Sequence, residues 1–205
     1  MKGICFKEPL FHATIEGRKT MTRRIMKPQP QGCFVPTNDG YSDGHYTSFK
    51  PRYRVGEIVY LKEPYRLEKI DAGLYKIHYQ FGSERIIDVH KFAVKPIKIA
   101  NIFSAQKRAK SGFANKLFMP EWCARYFIKI TAVRSEWLQD ISDEDCLKEG
   151  VVQREPGIWG LDLGRHISNL GKSPREAFAT LIDKINGRGT WERNPCVWAY
   201  DYELI

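Results

Sequence analysis

One stretch of the sequence says most about the fold: Ile15-Glu16-Gly17-Arg18-Lys19-Thr20-Met21-Thr22-Arg23-Arg24. Gly17 is a typical helix stop, and it follows a predicted helix over residues 9–16 that has Pro9 in its first turn. The β-branched residues after it predict a strand. Alternation along that strand places Thr20, Thr22 and Arg24 on one face, with Lys19 on the other unless the turn after Gly17 redirects it.

The remaining elements are mostly strands. Hydrophobic patterning predicts strands at residues 3–6, 57–61, 74–81, 126–138 and 197–205, the third of them paired through an Asp-Ala-Gly turn at 71–73. Capping patterns predict helices that begin at Ser142 and Ser173 and end at Gly150 and Gly187. Proline-rich residues 28–54 predict a long loop, and residues 98–120 support no assignment. Short strands with few helices indicate an α+β fold, a small β-barrel with peripheral helices.

Length and composition exclude several classes of protein. The 205 residues suit one domain with insertions or two small ones, and 42% hydrophobic residues are typical of a globular chain. The chain has no apolar run of about 20 residues that would span a membrane. Its charged start does not resemble a signal peptide, so a cytoplasmic protein is expected. Five scattered cysteines without a C-x-x-C pair, and no glycine-rich phosphate loop, predict no metal and no cofactor.

The formal net charge of +9 is unevenly distributed along the chain. Residues 17–54 hold eight Lys and Arg and two acidic residues, and residues 91–134 hold ten and one. Residues 135–149 have the opposite balance, with six acidic residues and one lysine. Two basic blocks beside an acidic one favour a surface that binds a polyanion, with solvated lysines as the alternative.

Two features of the sequence are compatible with chemistry. A lysine beside a threonine hydroxyl can form a nucleophile pair, because partial desolvation lowers the lysine pKa and lets the amine accept the hydroxyl proton. Lys19 and the nearby threonines fit this description, although a surface or phosphate-contact role is the more common one for such a strand. Glu149 lies in the last turn of the Ser142 helix, where the helix dipole disfavours a negative charge. A solvated helix end is the alternative for Glu149.

The pattern Gly17-x-Lys19-x-x-x-x-Arg24 matches the G-x-K-x-x-x-x-R signature of the ASCH domain. Residues 55–63, Val-Gly-Glu-Ile-Val-Tyr-Leu-Lys-Glu, resemble the family's G-D-x-L-x-V-R-E strand, and the later elements follow in the family's order. The whole chain also resembles ASCH proteins of phages and prophages. The resemblance implies a PUA-like β-barrel in one domain over residues 1–205, with insertions at 28–54, 85–122 and 151–172.

The same resemblance implies a protein that binds RNA or a modified nucleoside, with Gly17, Arg18, Arg23, Arg24, Lys62 and Glu63 at the cleft. One bacterial branch of the family removes the acetyl group from N4-acetylcytidine, and its catalytic Lys, Thr and Glu correspond to Lys19, Thr22 and Glu149. A single-strand ribonuclease is the third alternative.

Lys62-Glu63 fits a local ion pair or a surface position, with Glu63 as the second candidate for the carboxylate. The candidate residues for stacking on a base are Trp122, Trp159, Trp191 and Trp198.

Overall fold

The structure is a computed structural model that describes residues 1–30, 35–37, 40–42, 48–162 and 167–205. These residues form a mixed α+β fold, as predicted from many short strands with few helices. In chain order the elements are β1 Lys2–Cys5, α1 Glu8–Ile15, β2 Met21–Ile25, β3 Val35–Thr37, β4 Gly40–Ser42, β5 Ser48–Phe49, β6 Ile58–Lys62, β7 Tyr65–Asp71, β8 Leu74–Tyr79, β9 Glu84–Asp88, α2 Pro96–Arg108, β10 Phe127–Trp137, α3 Asp143–Lys148, β11 Val151–Glu155, β12 Ile158–Asp162, β13 Ile167–Gly171, α4 Pro174–Asn186, α5 Thr190–Arg193 and β14 Cys196–Leu204.

The chain divides into two compact units, each built from two separate stretches of sequence. Unit 1 comprises Met1–Phe11 and Ile58–Phe127, and unit 2 comprises His12–Glu57 and Ile128–Ile205. A single domain with insertions at 28–54, 85–122 and 151–172 stays a prediction. Parts of the first and third insertions, at residues 31–34, 38–39, 43–47 and 163–166, lie outside the described residues.

Unit 1 contains a parallel pair of strands and an antiparallel meander. Strand β1 pairs with β6, and β7, β8 and β9 follow one another in a three-stranded sheet. The predicted turn at residues 71–73 joins β7 to β8 and is confirmed. Helix α2 falls in the stretch that supported no assignment; Pro96 starts it, and it buries only Ile99 and Ile102. That short apolar face, surrounded by cations, explains why its periodicity is weak.

Unit 2 is built on the antiparallel strands β10, β14 and β2. The long strand predicted at residues 126–138 is confirmed as β10. Both predicted helix starts are also confirmed, because the Ser142 side chain accepts from the Asp145 amide and the Ser173 side chain accepts from the Glu176 amide. Helix α4 buries Phe178, Leu181 and Ile182, and it packs against the small sheet of β11, β12 and β13.

One prediction about local structure is wrong. Residues 28–54 were predicted as a long loop, but their described part contains β3, β4 and β5, which pair as a small antiparallel sheet. These strands are only two or three residues long and lie between turn-forming residues, so their alternation is too short to detect.

Within the part of the chain that the structure describes, no helix is long and apolar enough to cross a membrane.

Candidate functional site

The loop between α1 and β2 contacts three separate stretches of unit 2 through its backbone. Gly17 has a φ of +74°, a left-handed conformation that glycine adopts without steric cost. After this turn the Lys19 amide donates to the Ala13 carbonyl at 2.8 Å, and the Thr20 amide donates to the Lys148 carbonyl at 2.9 Å. The Thr20 carbonyl accepts from Tyr202 in β14 at 2.9 Å. The loop is therefore held between α1, the end of α3 and β14.

Lys19 points its ammonium group at the C-terminal end of α3. Its Nζ donates to Glu149 Oε2 at 2.6 Å, to the Glu149 carbonyl at 3.0 Å and to the Met21 carbonyl at 2.5 Å. Lys19 is 1% exposed and Glu149 is 5% exposed. The ammonium thus neutralises the charge that the helix dipole disfavours at Glu149, and it also satisfies the backbone at the helix end.

Arg23 binds the same carboxylate from the neighbouring strand. Its Nη1 lies 3.4 Å from Glu149 Oε1, its Nη2 donates to Asp145 Oδ2 at 2.7 Å, and its Nε donates to Glu136 Oε1 at 2.6 Å. Each of the three guanidinium nitrogens therefore has a carboxylate partner. Arg23 is buried, so in this arrangement its role is to join α3 to β10, and the predicted contact with a nucleic-acid phosphate stays a prediction.

Arg134 extends these contacts into a network. Its Nε donates to Glu136 Oε2 at 2.8 Å and its Nη1 to Asp201 Oδ2 at 2.8 Å, while its Nη2 donates to Asp145. We call the resulting set the charged cluster; its cations and carboxylates are Lys19, Arg23, Arg134, Glu136, Asp145, Glu149 and Asp201. Three cations face four carboxylates, so the cluster is close to neutral, as burial of charges requires.

Burial and pairing shift the pKa values inside the charged cluster. Burial lowers the pKa of Lys19 below its ordinary 10.5, and the opposing charge and hydrogen bond of Glu149 reverse this only in part. For Asp145, burial raises the pKa, but the hydrogen bond and charge of Arg23 and the charge of Arg134 outweigh it and leave the pKa below its ordinary 3.8. Lys19 is therefore easier to deprotonate than a solvated lysine, while Asp145 is harder to protonate than a solvated aspartate.

Thr22 occupies the opposite face of β2 from Arg23. It pairs in register with Tyr200, whereas Arg23 pairs with Ala199, and side chains alternate between the faces of a strand. Thr22 is buried. Among the described residues, its hydroxyl forms no hydrogen bond with Lys19 or Glu149. The structure thus brings together Lys19 and Glu149 of the three predicted catalytic residues, and it does not bring Thr22 into contact with them.

The other predicted residues of the signature lie around this loop. Arg18 is half-buried and forms an ion pair with Glu16, its Nε donating at 2.9 Å. Arg24 is half-buried and shares a strand face with Thr22, as the alternation predicts. Gly17 supplies the turn but no functional group.

Lys62 and Glu63 belong to unit 1 and are held there by different partners. The Lys62 ammonium donates to the Leu117 carbonyl at 2.9 Å. Glu63 is 0% exposed and accepts from Arg125 through both carboxylate oxygens, at 2.7 and 2.8 Å. The expected ion pair at this position thus exists, with Arg125 rather than Lys62 as the cation, and Glu63 is buried rather than placed at the surface.

Sequence reasoning missed four members of the charged cluster, Glu136, Asp145, Asp201 and Arg134. The acidic block at residues 135–149 contains two of these carboxylates. Its opposition to the basic residues was visible in the sequence, but nothing there showed which acid pairs with which base.

Within the described residues, no group of three or more His, Cys, Asp or Glu side chains is placed to hold a metal ion.

Comparison with family models, with curated proteins and with solved structures found no match to this chain. The resemblance to the ASCH domain therefore rests on the Gly17-x-Lys19-x-x-x-x-Arg24 pattern, on residues 55–63 and on the order of the elements, and it stays a prediction.

Proposed function

We propose that this chain is an ASCH-type protein with a PUA-like barrel that binds a modified nucleoside in unit 2 and hydrolyses its exocyclic amide. The observation that carries the proposal is the buried contact of 2.6 Å between Lys19 Nζ and Glu149 Oε2. These are the two residue types that the resemblance assigns to catalysis. A lysine whose pKa is lowered by burial is suited to act as a general base.

In the proposed reaction the neutral Lys19 amine takes the proton of the Thr22 hydroxyl, whose oxygen attacks the acetyl carbonyl of N4-acetylcytidine. The tetrahedral intermediate collapses, the C–N bond breaks, and the leaving cytidine amine receives the proton from Lys19. Lys19 then deprotonates a water molecule, whose oxygen attacks the acetyl ester of Thr22. The bond between the acyl carbon and the Thr22 oxygen breaks, the Thr22 oxygen takes the proton from Lys19, and acetate is released. Glu149 holds Lys19 in position throughout. The role of Thr22 rests on the resemblance alone, and the reaction requires Lys19 to exchange a hydrogen bond from its present acceptors to Thr22.

Release of cytidine from N4-acetylcytidine by the purified protein, measured by chromatography, tests the proposal. We expect Thr22→Val to abolish release, since it removes the nucleophile. The fold should persist, because the lost hydroxyl has no hydrogen-bond partner among the described residues. Lys19→Ala should also abolish it. Lys129→Ala, at an exposed position of unit 2, is the matched control and should retain the wild-type rate. No release by wild type at high enzyme concentration refutes the hydrolase, and a fully active Thr22→Val variant refutes the nucleophile.

A second candidate is binding of RNA or a modified nucleoside without chemistry. It is favoured by the saturation of Lys19, whose Nζ already donates to three oxygens, the full number that an ammonium can serve. This candidate predicts nucleoside or RNA affinity with no turnover. RNA affinity should fall as salt increases, and Lys19→Ala should then weaken binding only as far as it destabilises unit 2.

A further inference from the structure

Unit 1 contains a pocket of about 960 Å³ along helix α2, a volume at the upper end of the roughly 300–1,000 Å³ of typical ligand sites. We propose that this pocket binds a single-stranded polynucleotide. The proposal does not depend on the charged cluster or on the proposed hydrolase.

The helix and the turns around the pocket are strongly basic. Residues 89–120 contain no Asp or Glu, and they contain seven basic residues, Lys91, Lys95, Lys98, Lys107, Arg108, Lys110 and Lys116. Three of them, Lys98, Arg108 and Lys116, line the pocket, and none of the described residues that line it is acidic. Lys98 and Arg108 are exposed and have no carboxylate partner among the described residues. Two exposed cations such as Lys98 and Arg108 in a concave site raise the local concentration of an anion.

Two of these cations are spaced along one face of α2. Lys98, Asn101, Ala105 and Arg108 line the pocket, and their spacing of three to four residues places them on one face of α2. Lys98 and Arg108 are ten residues apart, which corresponds to about 15 Å along a helix. One phosphate group cannot bridge that distance, so the two cations fit separate phosphates of a chain.

Aromatic side chains also line the pocket. Tyr65, Phe113 and Phe118 line the pocket together with the cations. Phe118 is 78% exposed and Phe113 is half-buried, so a base can reach both rings, whereas Tyr65 is 1% exposed and closes the pocket from below. Aromatic faces beside a basic track are the combination that single-strand binding proteins use for bases and backbone. The predicted stacking residues were tryptophans, but none of the four lines this pocket.

The pocket is preformed, because hydrogen bonds fix both of its sides. The Gln106 side chain bonds to the Leu67 backbone in both directions, accepting at 2.8 Å and donating at 3.0 Å, and so attaches α2 to β7. On the other side, the Asn115 side chain accepts from the Leu117 amide at 2.9 Å, and the Phe118 amide donates to the Asn115 carbonyl at 3.0 Å. Binding therefore does not require the ordering of these walls, which favours affinity.

Fluorescence anisotropy with a labelled 12-nucleotide oligo(U) and the matching oligo(dU) tests the proposal on the whole 205-residue chain. We expect Lys98→Ala/Arg108→Ala to weaken binding at least tenfold at low salt. The slope of log K against log salt should fall by about 1.4, since each phosphate contact contributes about 0.7 for single strands. The matched control is Lys107→Ala/Lys110→Ala, which removes the same charge from exposed residues outside the pocket and should cost less than threefold.

Phe118→Ala separates stacking from charge. It should weaken binding about tenfold with an unchanged salt slope, because stacking does not release counterions. The side chain is mostly exposed, so the fold should persist, as a thermal melt will verify. An equal loss in the two double variants, or absence of binding to both oligonucleotides, overturns the proposal. Competition by poly-glutamate as strong as that by oligo(U) also overturns it, since the site would then select acidic peptides. A difference between oligo(U) and oligo(dU), which have the same base, identifies the sugar that the pocket prefers.

Discussion

Lys19 Nζ and Glu149 Oε2 lie 2.6 Å apart, although 130 residues separate them in the sequence. Both side chains are almost fully buried. The removal of two charges from water costs several kcal/mol per ion, and their attraction offsets this cost only when the remaining donors and acceptors are satisfied. Here the ammonium also bonds to two backbone carbonyls, and Arg23 approaches the other carboxylate oxygen. The pair therefore meets the conditions under which a buried ion pair can persist.

Removal of one partner of this pair should destabilise the protein strongly. Glu149→Gln leaves the Lys19 ammonium buried without its carboxylate, and we expect the free energy of unfolding to fall by about 3–5 kcal/mol. Urea unfolding at pH 7 measures this. Glu155→Gln, at an exposed position of β11, should change the free energy by less than about 0.5 kcal/mol. If both partners are removed, in Lys19→Met/Glu149→Leu, part of the stability should return, and strictly additive losses would contradict the pairing.

Cytidine release should depend on pH through Lys19. Burial lowers the pKa of Lys19 from its ordinary 10.5, and only the neutral amine can accept a proton. We therefore expect kcat/KM to rise with pH and to level off below pH 10.5. The Glu149 charge favours the protonated lysine, so Glu149→Gln should move this inflection to lower pH. An unchanged inflection in the variant, or a rate independent of pH, would exclude Lys19 as the base.

Asp145 should contribute to stability above its ordinary pKa and lose that contribution in acid. Despite the opposing effect of burial, Arg23 and Arg134 hold the Asp145 pKa below 3.8, so the folded state binds fewer protons than the unfolded state near that value. The free energy of unfolding should therefore fall as the pH drops below about 4 towards the folded-state pKa. In Asp145→Asn the free energy of unfolding should depend less on pH in this window, and it should be about 1.5–3 kcal/mol lower at pH 7.

Urea unfolding between pH 2.5 and 7 measures the Asp145 contribution, with Asp143→Asn on the exposed side of α3 as control. That control should keep the wild-type dependence on pH. The same steep loss in Asp145→Asn would show that other carboxylates cause the acid sensitivity.

The sequence predicts local features of this fold better than it predicts contacts. The helix caps at Ser142 and Ser173 and the strand β10 depend on neighbouring residues, and each was correctly placed. Helix α2 was missed because it buries only two side chains. Glu149 was singled out because a carboxylate at a helix end conflicts with the dipole, but only the resemblance assigned it to the site beside Lys19, which is its partner in the structure. The partners of Arg23 and Glu63 could not be predicted, since pairing across the fold depends on strand register, which no local pattern determines.

Glu63 provides a test of which buried carboxylate supports chemistry. Glu63→Gln breaks the bidentate contact with Arg125, whose guanidinium also lies 4.4 Å from the centroid of the Tyr79 ring. We expect a loss of about 3–5 kcal/mol in the free energy of unfolding. The rate of cytidine release per folded molecule should stay at the wild-type value, because the proposed reaction uses Glu149. Loss of turnover in folded Glu63→Gln would reassign the catalytic carboxylate.

Substitution of Gly17 should reduce cytidine release by more than the loss of stability alone would, because the turn at Gly17 positions Lys19. An alanine at its φ of +74° would be strained although nothing lies within 4 Å of the added Cβ, and we expect a cost of about 1–2 kcal/mol. Gly157 has nearly the same φ, +75°, and the same open space, so Gly157→Ala should lose similar stability in urea unfolding. Only Gly17→Ala should reduce cytidine release, since relief of the strain moves the loop that carries Lys19. Equal turnover in the two variants would show that the signature glycine serves the backbone alone.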